Sequence, residues 1–117
     1  MTQRLTIHLT ATGRRSGASR TVTLYAFTDG KALVVVGSRG GAARHPAWVH
    51  NLRAEPHAIV ARGRAREAVV AREVTGAEER SRLWQLVTEA FPLYASYQRR
   101  TERTIPLFVL EPATEAT

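Results

Sequence analysis

The stretch "RLTIHLTATGRRSGASRTVTLYAF" (residues 4–27) contains two segments of alternating apolar and polar residues, joined by a polar loop. Every second residue is apolar from Leu5 to Leu9 and again from Val22 to Ala26. A period of two is typical of a strand that buries one face. Two such strands in succession predict an antiparallel sheet.

The next segments predict a third strand and a short helix. Asp29-Gly30 indicates a hairpin turn, because glycine tolerates the positive φ that such turns need. The apolar run "ALVVVGS" that follows predicts a central strand. Pro46 suits the first residue of a helix, where its missing N–H costs nothing, and that helix is expected to end before Pro56.

Two more strands and a longer helix are predicted in the middle of the chain. The segments "HAIVAR" and "AREAVVAREV" carry the strand pattern and meet at Gly63. Thr75 and Glu78 resemble a capping box, which would begin a helix over residues 75–90. The apolar residues of that segment recur at helical spacing.

The last elements are a second short helix over residues 93–103 and a final strand over residues 105–112. Pro106 indicates an edge strand or the start of a strand, because proline cannot donate to a sheet. The resulting order is β-β-β-α-β-β-α-α-β.

This order predicts a mainly β (α+β) fold in which six mostly antiparallel strands close into a small barrel, with about three short helices. The chain of 117 residues suits one domain, which we place at residues 1–112. Residues 113–117 are expected to form a loose tail.

The composition points to an anionic partner. Lys and Arg number 17 against 10 Asp and Glu, a net charge of +7, and all but one of the cations are arginine. Arginine presents a planar fork of donors that matches carboxylates and phosphates. A nucleic acid, an anionic lipid or a multiply charged ligand would fit, and genomic compositional bias is the alternative explanation.

Several classes of function are excluded. The absence of cysteine removes disulfides, thiolate catalysis and cysteine-based metal sites. The four histidines show no compact metal-ligand pattern, so no metal is expected. No nucleic-acid recognition motif is present. The start lacks the apolar run of a signal peptide, and no apolar run could span a bilayer, so a cytoplasmic protein is expected, with a peripheral membrane contact left open.

Three segments carry candidate chemistry. The loop "TGRRSG" (residues 12–17) combines glycines with Arg14, Arg15 and Ser16, the donors of an anion cradle, although it could also be a solvated hairpin loop. The segment "SRGGAARHPAWVHNL" (residues 38–52) places a Gly-Gly turn before a helix start, which attracts anions.

The third segment is "FPLYASY", in which Phe91, Tyr94 and Tyr97 recur every three residues and lie near one face of a short helix. Ordinary core packing would explain this spacing. The tyrosines could instead line a pocket and donate hydrogen bonds to a substrate.

The segments "TGRRSG", "LVVVGSRGGAARHPAWVHNLRAEP", "EERSRLWQLV" and "YQRRTERTIPLFVLEP" together resemble the deazaflavin-dependent nitroreductase family. These proteins are split β-barrel flavin/deazaflavin oxidoreductases, related to the FMN-binding fold, that use coenzyme F-420. The resemblance covers nearly the whole chain in order. It implies hydride transfer from reduced F-420 to a small conjugated acceptor such as a quinone or a nitroaromatic compound.

The resemblance also implies a set of site residues. Those expected to hold the anionic tail, phosphate and linking chain of the cofactor are Arg14, Arg15, Ser16, Ser38, Arg39, Gly40, Gly41, Ala42 and Ala43. Those expected to shape the wall near the deazaflavin ring are His45, Pro46, Trp48 and Asn51. Those expected on the acceptor side, as catalytic hydroxyls or pocket lining, are Tyr25, Ser38, Tyr94 and Tyr97. We attribute Gly40 and Gly41 to the need for backbone amides to approach the phosphate.

Some positions depart from the family pattern. Val49 stands where an aromatic residue is frequent, which is expected to leave extra space, and Phe91 replaces a third tyrosine. Arg39 stands where lysine is frequent. Many relatives carry an N-terminal extension, whereas the first strand here begins about four residues into the sequence.

Two alternatives to this function stay open at this point. FMN in the same barrel would make the protein a flavin reductase, and binding of F-420 without turnover would make it a carrier. Either a monomer or a homodimer is compatible with the sequence.

Overall fold

The computed structural model describes residues 1–113. Its six strands are β1 (Arg4–Thr12), β2 (Ser19–Asp29), β3 (Ala32–Val36), β4 (His57–Arg62), β5 (Ala65–Glu73) and β6 (Leu107–Pro112). Its α-helices are α1 (Ala47–Ala54), α2 (Ala77–Ala90) and α3 (Leu93–Arg99), and one 3-10 turn covers Arg39–Gly41. This order of strands and helices is the predicted one.

The strands form a closed barrel in the order β1-β2-β3-β6-β5-β4, with β4 pairing back onto β1. Each neighbouring pair within the described chain is antiparallel. The last strand, β6, lies between β3 and β5, so the barrel closes only when the final strand is in place. The predicted six-stranded, mainly antiparallel barrel is confirmed.

The barrel interior is filled by the apolar residues that alternate along the strands. Ile7 and Leu9 of β1 are fully buried there, as the period-two pattern predicts. Helix α1 covers one end of the barrel and adds Trp48, Val49 and Leu52 to this interior core.

A second core lies outside the barrel, beneath α2 and α3. Leu83 and Val87 of α2 pack there with Tyr94 of α3 against the outer faces of β3 and β6. These two strands are therefore buried on both faces, which explains why their sequences are continuous apolar runs rather than alternating ones.

The predicted capping box is wrong. Helix α2 is capped by Gly76 rather than Thr75, and its N-cap makes no side-chain hydrogen bond. The neighbouring acid, Glu79, accepts two hydrogen bonds from Arg72 at 2.7 and 3.0 Å. The first turn of this helix therefore has a side-chain partner on β5, where the local sequence suggested a self-contained cap.

Two further details of the predicted elements change. Helix α3 ends at Arg99 rather than Arg103, so the following residues turn back toward the barrel. Pro106 precedes an interior strand of a closed barrel, so the edge-strand alternative is wrong and the strand-start alternative holds. Ala113, placed in the predicted tail, donates its N–H to Ala68 at 2.9 Å. Residues 114–117 of that tail lie outside the described residues.

The two ends of the barrel differ. The hairpin turns after β2 and β4 lie at one end. The β1–β2 loop (residues 13–18, the first loop) and the segment between β3 and α1 (residues 37–46, the second loop) lie at the other, which we call the ligand end. Within residues 1–113, no helix has both the length and the apolar character needed to cross a bilayer.

Candidate active site

Two adjoining depressions open at the ligand end. The larger, which we call the basic groove, has a volume of about 590 Å³. It is lined by Gly13, Arg14, Arg15, Ser16, Arg20, Thr21, Val22, Arg39, Pro46, Ala47, Trp48 and Asn51. Its lining includes four arginines and no carboxylate, which suits a ligand with several negative charges.

The smaller depression, which we call the aromatic pocket, has a volume of about 370 Å³. It is lined by Thr6, Thr23, Leu24, Tyr25, Val36, Ser38, Arg39, Gly40, Pro46, Trp48, Phe91, Tyr94 and Tyr97. Arg39, Pro46 and Trp48 line both depressions, so the groove and the pocket meet at these three residues.

The first loop is held mainly by its own backbone. Gly13 donates to the carbonyl of Ala18 at 2.7 Å, and Gly17 donates to the carbonyl of Gly13 at 2.9 Å. One tertiary bond joins it to α1, since Asn51 Oδ1 accepts the N–H of Arg14 at 3.0 Å. Asn51 is 6% exposed and is the buried polar residue of the described chain. It therefore fixes the loop that carries Arg14 and also lines the groove.

The second loop is held by a residue far away in the sequence. The guanidinium of Arg103 donates to the carbonyls of Ala42 at 2.7 Å, Gly37 at 3.0 Å and Ser38 at 2.7 Å. It also donates to His45 Nδ1 at 2.8 Å. Four bonds from one side chain thus span the whole loop.

The backbone of the second loop follows a left-handed course at its centre. Arg39 has φ 44°, and Gly40 and Gly41 have φ 62° and 82°. Arg39 is the non-glycine residue with positive φ in the described chain. Such a conformation costs about 1–2 kcal/mol for a residue with a Cβ and persists only when its surroundings enforce it.

The reason predicted for Gly41 is wrong. Its N–H already donates to the carbonyl of Ser38 at 2.9 Å, and a Cβ at this position would lie 2.6 Å from the carbonyl oxygen of Tyr97. Gly41 therefore allows α3 to approach the loop. Gly40 differs, because no atom lies within 4 Å of a Cβ built there and the residue faces the aromatic pocket.

The aromatic pocket is lined by one largely buried tyrosine, Tyr94. Tyr94 is 5% exposed, and its ring contacts those of Phe91 and Tyr97 at centroid distances of 4.8 and 6.2 Å. Burial, with smaller contributions from Tyr97 and Tyr25, raises the pKa of Tyr94 to about 12. Its hydroxyl is therefore a hydrogen-bond donor throughout the neutral range.

The outer wall of this pocket is formed by two aromatic rings in edge-to-face contact. Tyr25 and Phe91 meet edge to face at 5.5 Å, and the guanidinium of Arg4 lies 4.7 Å above the Tyr25 ring. Tyr25 is 41% exposed, so it borders the pocket opening. Phe91 offers this wall an apolar edge.

Ala43 and His45 line a third depression of about 470 Å³ beside the basic groove. His50 lies in it as well, with ring centroids 5.6 Å apart for the two histidines. Burial, followed by the charges of nearby arginines, lowers the pKa of both imidazoles. His45 thus lies on the basic side of the second loop, outside the aromatic pocket.

The structure brings most of the predicted site residues to the ligand end. The predicted residues that line the groove or the aromatic pocket are Arg14, Arg15, Ser16, Tyr25, Ser38, Arg39, Gly40, Pro46, Trp48, Asn51, Tyr94 and Tyr97. Ala42 and Gly41 lie behind the loop surface, where the Ala42 carbonyl is taken by Arg103.

The extra space expected at Val49 does not exist at this end. Val49 is fully buried in the interior core, and its Cγ2 would lie 2.7 Å from a Cβ on Gly37. A small residue at 49 thus lets the second loop lie close to α1, and it lines neither depression.

Arg103 was not among the predicted site residues. The segment "RTERTIP" contributes to the family resemblance, but nothing within it indicates which carbonyls the side chain of Arg103 reaches. Arg20 and Thr21 of β2 also line the groove without having been predicted. Thr21 lies on the polar face of β2 with Thr23, so the strand alternation is the signal that could have identified it, whereas Arg20 lies on the opposite face and has no such signal.

The fold and these depressions define a class of protein: a small closed β-barrel with a basic groove beside an aromatic pocket. Comparison with known proteins gives the family. A model of the F420H(2)-dependent quinone reductase family matches residues 2–112. The chain belongs to this family, so it is an oxidoreductase whose cofactor is coenzyme F-420, and the FMN alternative is not needed.

Individual relatives agree with the family assignment. An F420H(2)-dependent quinone reductase of Mycobacterium tuberculosis (strain ATCC 25618 / H37Rv) is 40% identical over 104 residues, which cover 87% of this chain and 70% of that protein. A solved structure described as an F420-H2 dependent reductase is 39% identical with a TM-score of 0.81, covering 91% of this chain and 93% of the other. A solved chain described as a domain-swapped dimer is 39% identical with a TM-score of 0.82, covering 91% and 79%.

The donor set of the basic groove fits this cofactor. The tail of F-420 carries a phosphate and several glutamates, and the groove offers arginines on both ligand-end loops without a competing acid. Trp48 and Pro46 supply an apolar wall where the groove meets the aromatic pocket. Within residues 1–113, no group of three or more His, Asp or Glu side chains is arranged to hold a metal.

Proposed function

We propose that this protein transfers a hydride from reduced F-420 to a quinone or a similarly conjugated acceptor, such as a nitroaromatic compound. The observation that carries the proposal is the junction of the basic groove and the aromatic pocket at Arg39, Pro46 and Trp48. A cofactor in the groove and an acceptor in the pocket would be neighbours at this junction, as hydride transfer requires.

The groove residues bind and orient the cofactor in this proposal. Arg14, Arg15 and Ser16 on the first loop hold the anionic tail, and Arg39 holds the phosphate end of the linking chain. Trp48 and Asn51 border the ring. When bound, F-420 supplies the two-electron hydride chemistry, and the protein supplies binding, orientation and electrostatics.

The pocket residues act on the acceptor. Reduction of a quinone or a nitro group places negative charge on its oxygen, which a preorganised donor stabilises. The hydroxyl of Tyr94 stays protonated because its pKa is raised to about 12, so it donates to that oxygen. Tyr97 and Ser38 supply further hydroxyls, and Tyr25 borders the opening.

The direct test has two stages. Titration of the purified protein with oxidised F-420, followed by fluorescence, is expected to show saturable binding, with FMN as the parallel control. Mixing with reduced F-420 and a panel of quinones and nitroaromatic compounds should then oxidise the cofactor. Binding of FMN without F-420 would defeat the proposal, and F-420 binding without turnover across the panel would favour a carrier.

Tyr94→Phe separates the acceptor role from cofactor binding. Loss of one transition-state hydrogen bond is expected to lower kcat about 10- to 100-fold while the Kd for F-420 changes less than about twofold. The matched control is Tyr25→Phe, which alters a hydroxyl at the pocket opening. Unchanged kcat in Tyr94→Phe would remove this residue from the mechanism.

We propose that the protein acts as a monomer or a homodimer, with the similarity to a domain-swapped chain as support for the dimer. Sedimentation of the purified protein across a concentration series would decide between them.

A further inference from the structure

We infer that Arg103 is a positioning residue for the cofactor site: it holds the second loop in the shape that places Arg39 at the junction of groove and pocket. This inference rests on the proposed function for its meaning, but its structural part can be tested without cofactor.

The number and placement of the Arg103 hydrogen bonds support this inference. The guanidinium reaches the carbonyls of Gly37 and Ser38 on one side of the 3-10 turn and that of Ala42 on the other, at 2.7–3.0 Å. Arginine has five N–H donors in a fixed fork, and at least four bonds are made here. A lysine ammonium has three donors on a compact head and cannot span the same acceptors.

Backbone strain at Arg39 supports the inference as well. Its φ of 44° is unfavourable for a residue with a Cβ, and the carbonyls held by Arg103 flank it in sequence on both sides. A strained conformation persists only where the surroundings enforce it. The Arg103 bonds supply that enforcement together with two backbone bonds of the turn, in which Gly41 donates to Ser38 and Ala42 donates to Arg39.

The positive charge of Arg39 beside that of Arg103 also supports this inference. Arg39 lines the basic groove, the aromatic pocket and the depression of His45, so its position affects all three. It also lies close enough to Arg103 for its charge to lower the pKa of Arg103, after the larger effect of burial. Two like charges held together at a ligand site favour binding of an anion that neutralises them.

The segment that carries Arg103 is fixed in turn by Gln98. Its Nε2 donates to the carbonyl of Arg103 at 2.7 Å, and its Oε1 accepts the N–H of Ile105 at 2.9 Å. Helix α3 therefore supports both the pocket, through its tyrosines, and the Arg103 side chain that shapes the loop. Arg103 lines neither the groove nor the aromatic pocket, although it lines the third depression beside Arg39, so we expect it to act on the groove and the pocket through Arg39.

The test combines limited proteolysis with a double-mutant cycle. In Arg103→Lys without cofactor, trypsin is expected to cleave after Arg39 and Arg44 at least about tenfold faster, while cleavage after Arg14 and Arg15 keeps its rate. The matched control, Arg82→Lys, loses the two hydrogen bonds to Asp29 at a distant site and should leave both rates unchanged.

The binding arm measures the Kd for oxidised F-420. Arg103→Lys and Arg39→Ala are each expected to weaken binding about tenfold, and the double variant is expected to bind within about twofold of Arg39→Ala alone. Additive losses would show that Arg103 does not act through Arg39 and would overturn the inference. Equal proteolysis of the second loop in wild type and Arg103→Lys would overturn it as well.

A second variant guards against misfolding. Gln98→Met keeps the Arg103 side chain but removes the two bonds that fix the backbone of Arg103 and Ile105, and a smaller, loop-specific increase in cleavage is expected. If wild-type protein fails to bind F-420, the proposed function fails. The proteolysis results still decide whether Arg103 holds the loop.

Discussion

The two loops of the ligand end face the same groove but are held in different ways. The first loop closes on itself through backbone bonds and uses one neighbour, Asn51, for its remaining tertiary contact. The second loop depends on Arg103, which lies about sixty residues further along the chain. One loop is thus shaped locally and the other by a distant side chain.

The contrast between the two loops shows which features of a binding site a local sequence can specify. A turn closed mainly by its own backbone bonds depends little on its surroundings, so substitutions of its exposed side chains should change ligand contacts with little effect on folding. A loop held from elsewhere should couple ligand binding to the packing of α3 and β6. The following experiments test that contrast, beginning with the largest expected effect.

Gly41→Ala and Gly17→Ala compare the loops directly. Both glycines have positive φ, 82° and 72°, but a Cβ on Gly41 would lie 2.6 Å from the Tyr97 carbonyl, whereas one on Gly17 meets nothing within 4 Å. We expect Gly41→Ala to lower the free energy of unfolding by about 3 kcal/mol and Gly17→Ala by about 1 kcal/mol, measured by urea denaturation. Equal losses would show that the second loop is no more dependent on its surroundings than the first.

Asn51 offers a pair of substitutions that separates stability from binding. Asn51→Leu leaves the N–H of Arg14 without its partner and is expected to cost about 1–2 kcal/mol of folding stability. Asn51→Asp keeps an oxygen acceptor, so stability should be nearly retained, but the added negative charge should weaken F-420 binding about tenfold. Unfolding curves and the Kd measured on both variants check this. Equal F-420 affinity in Asn51→Asp and wild type would remove Asn51 from the cofactor site.

The double substitution Arg14→Ala with Arg15→Ala should weaken ligand binding without changing folding stability. F-420 binding is expected to weaken about tenfold at low salt and less at high salt, because exposed charges are screened. Arg64→Ala with Arg66→Ala removes the same charge at the opposite end of the barrel and serves as the control. A similar loss in the control would attribute the effect to net charge rather than to the first loop.

The smallest effect is expected from pH. The pKa of His45 is lowered from 6.5 chiefly by burial and then by Arg103, so the folded protein takes up its proton less readily than the unfolded chain. Stability contributed by the neutral imidazole is therefore complete above pH 6.5 and declines as the pH falls below it. His45→Gln should flatten part of the Tm profile between about pH 5 and 7, and thermal unfolding measured across this range checks it. His50, whose pKa is also lowered, accounts for the pH dependence of Tm that remains in His45→Gln.

Much of the barrel was predictable because its signals are local. The alternation in β1 and β2 and the Asp29-Gly30 turn depend on residues next to one another, and the structure follows them closely. The capping box at Thr75 failed because the helix begins one residue later than expected, with Gly76 as its N-cap. The end of α3 was misplaced because Arg103 is drawn back to the second loop.

The candidate site was predictable as a set of residues but not as a set of contacts. Arginines, glycines and tyrosines mark the ligand end in the sequence. Whether a glycine serves a ligand or a neighbouring helix depends on Tyr97, as Gly41 shows, and whether Val49 opens a space depends on Gly37. Tyr97 lies far from Gly41 in sequence, and even the nearer pair, Gly37 and Val49, meets only through the fold of the second loop onto α1.

The place of β6 between β3 and β5 has a consequence for the order of folding. During synthesis the second loop leaves the ribosome long before Arg103 and β6, so the nascent chain carries an open sheet whose ligand loop has no clamp. Pairing over so long a sequence separation is slow. We therefore expect affinity for the cofactor to arise late in folding, and opening of the final strand to weaken ligand binding as it breaks the barrel.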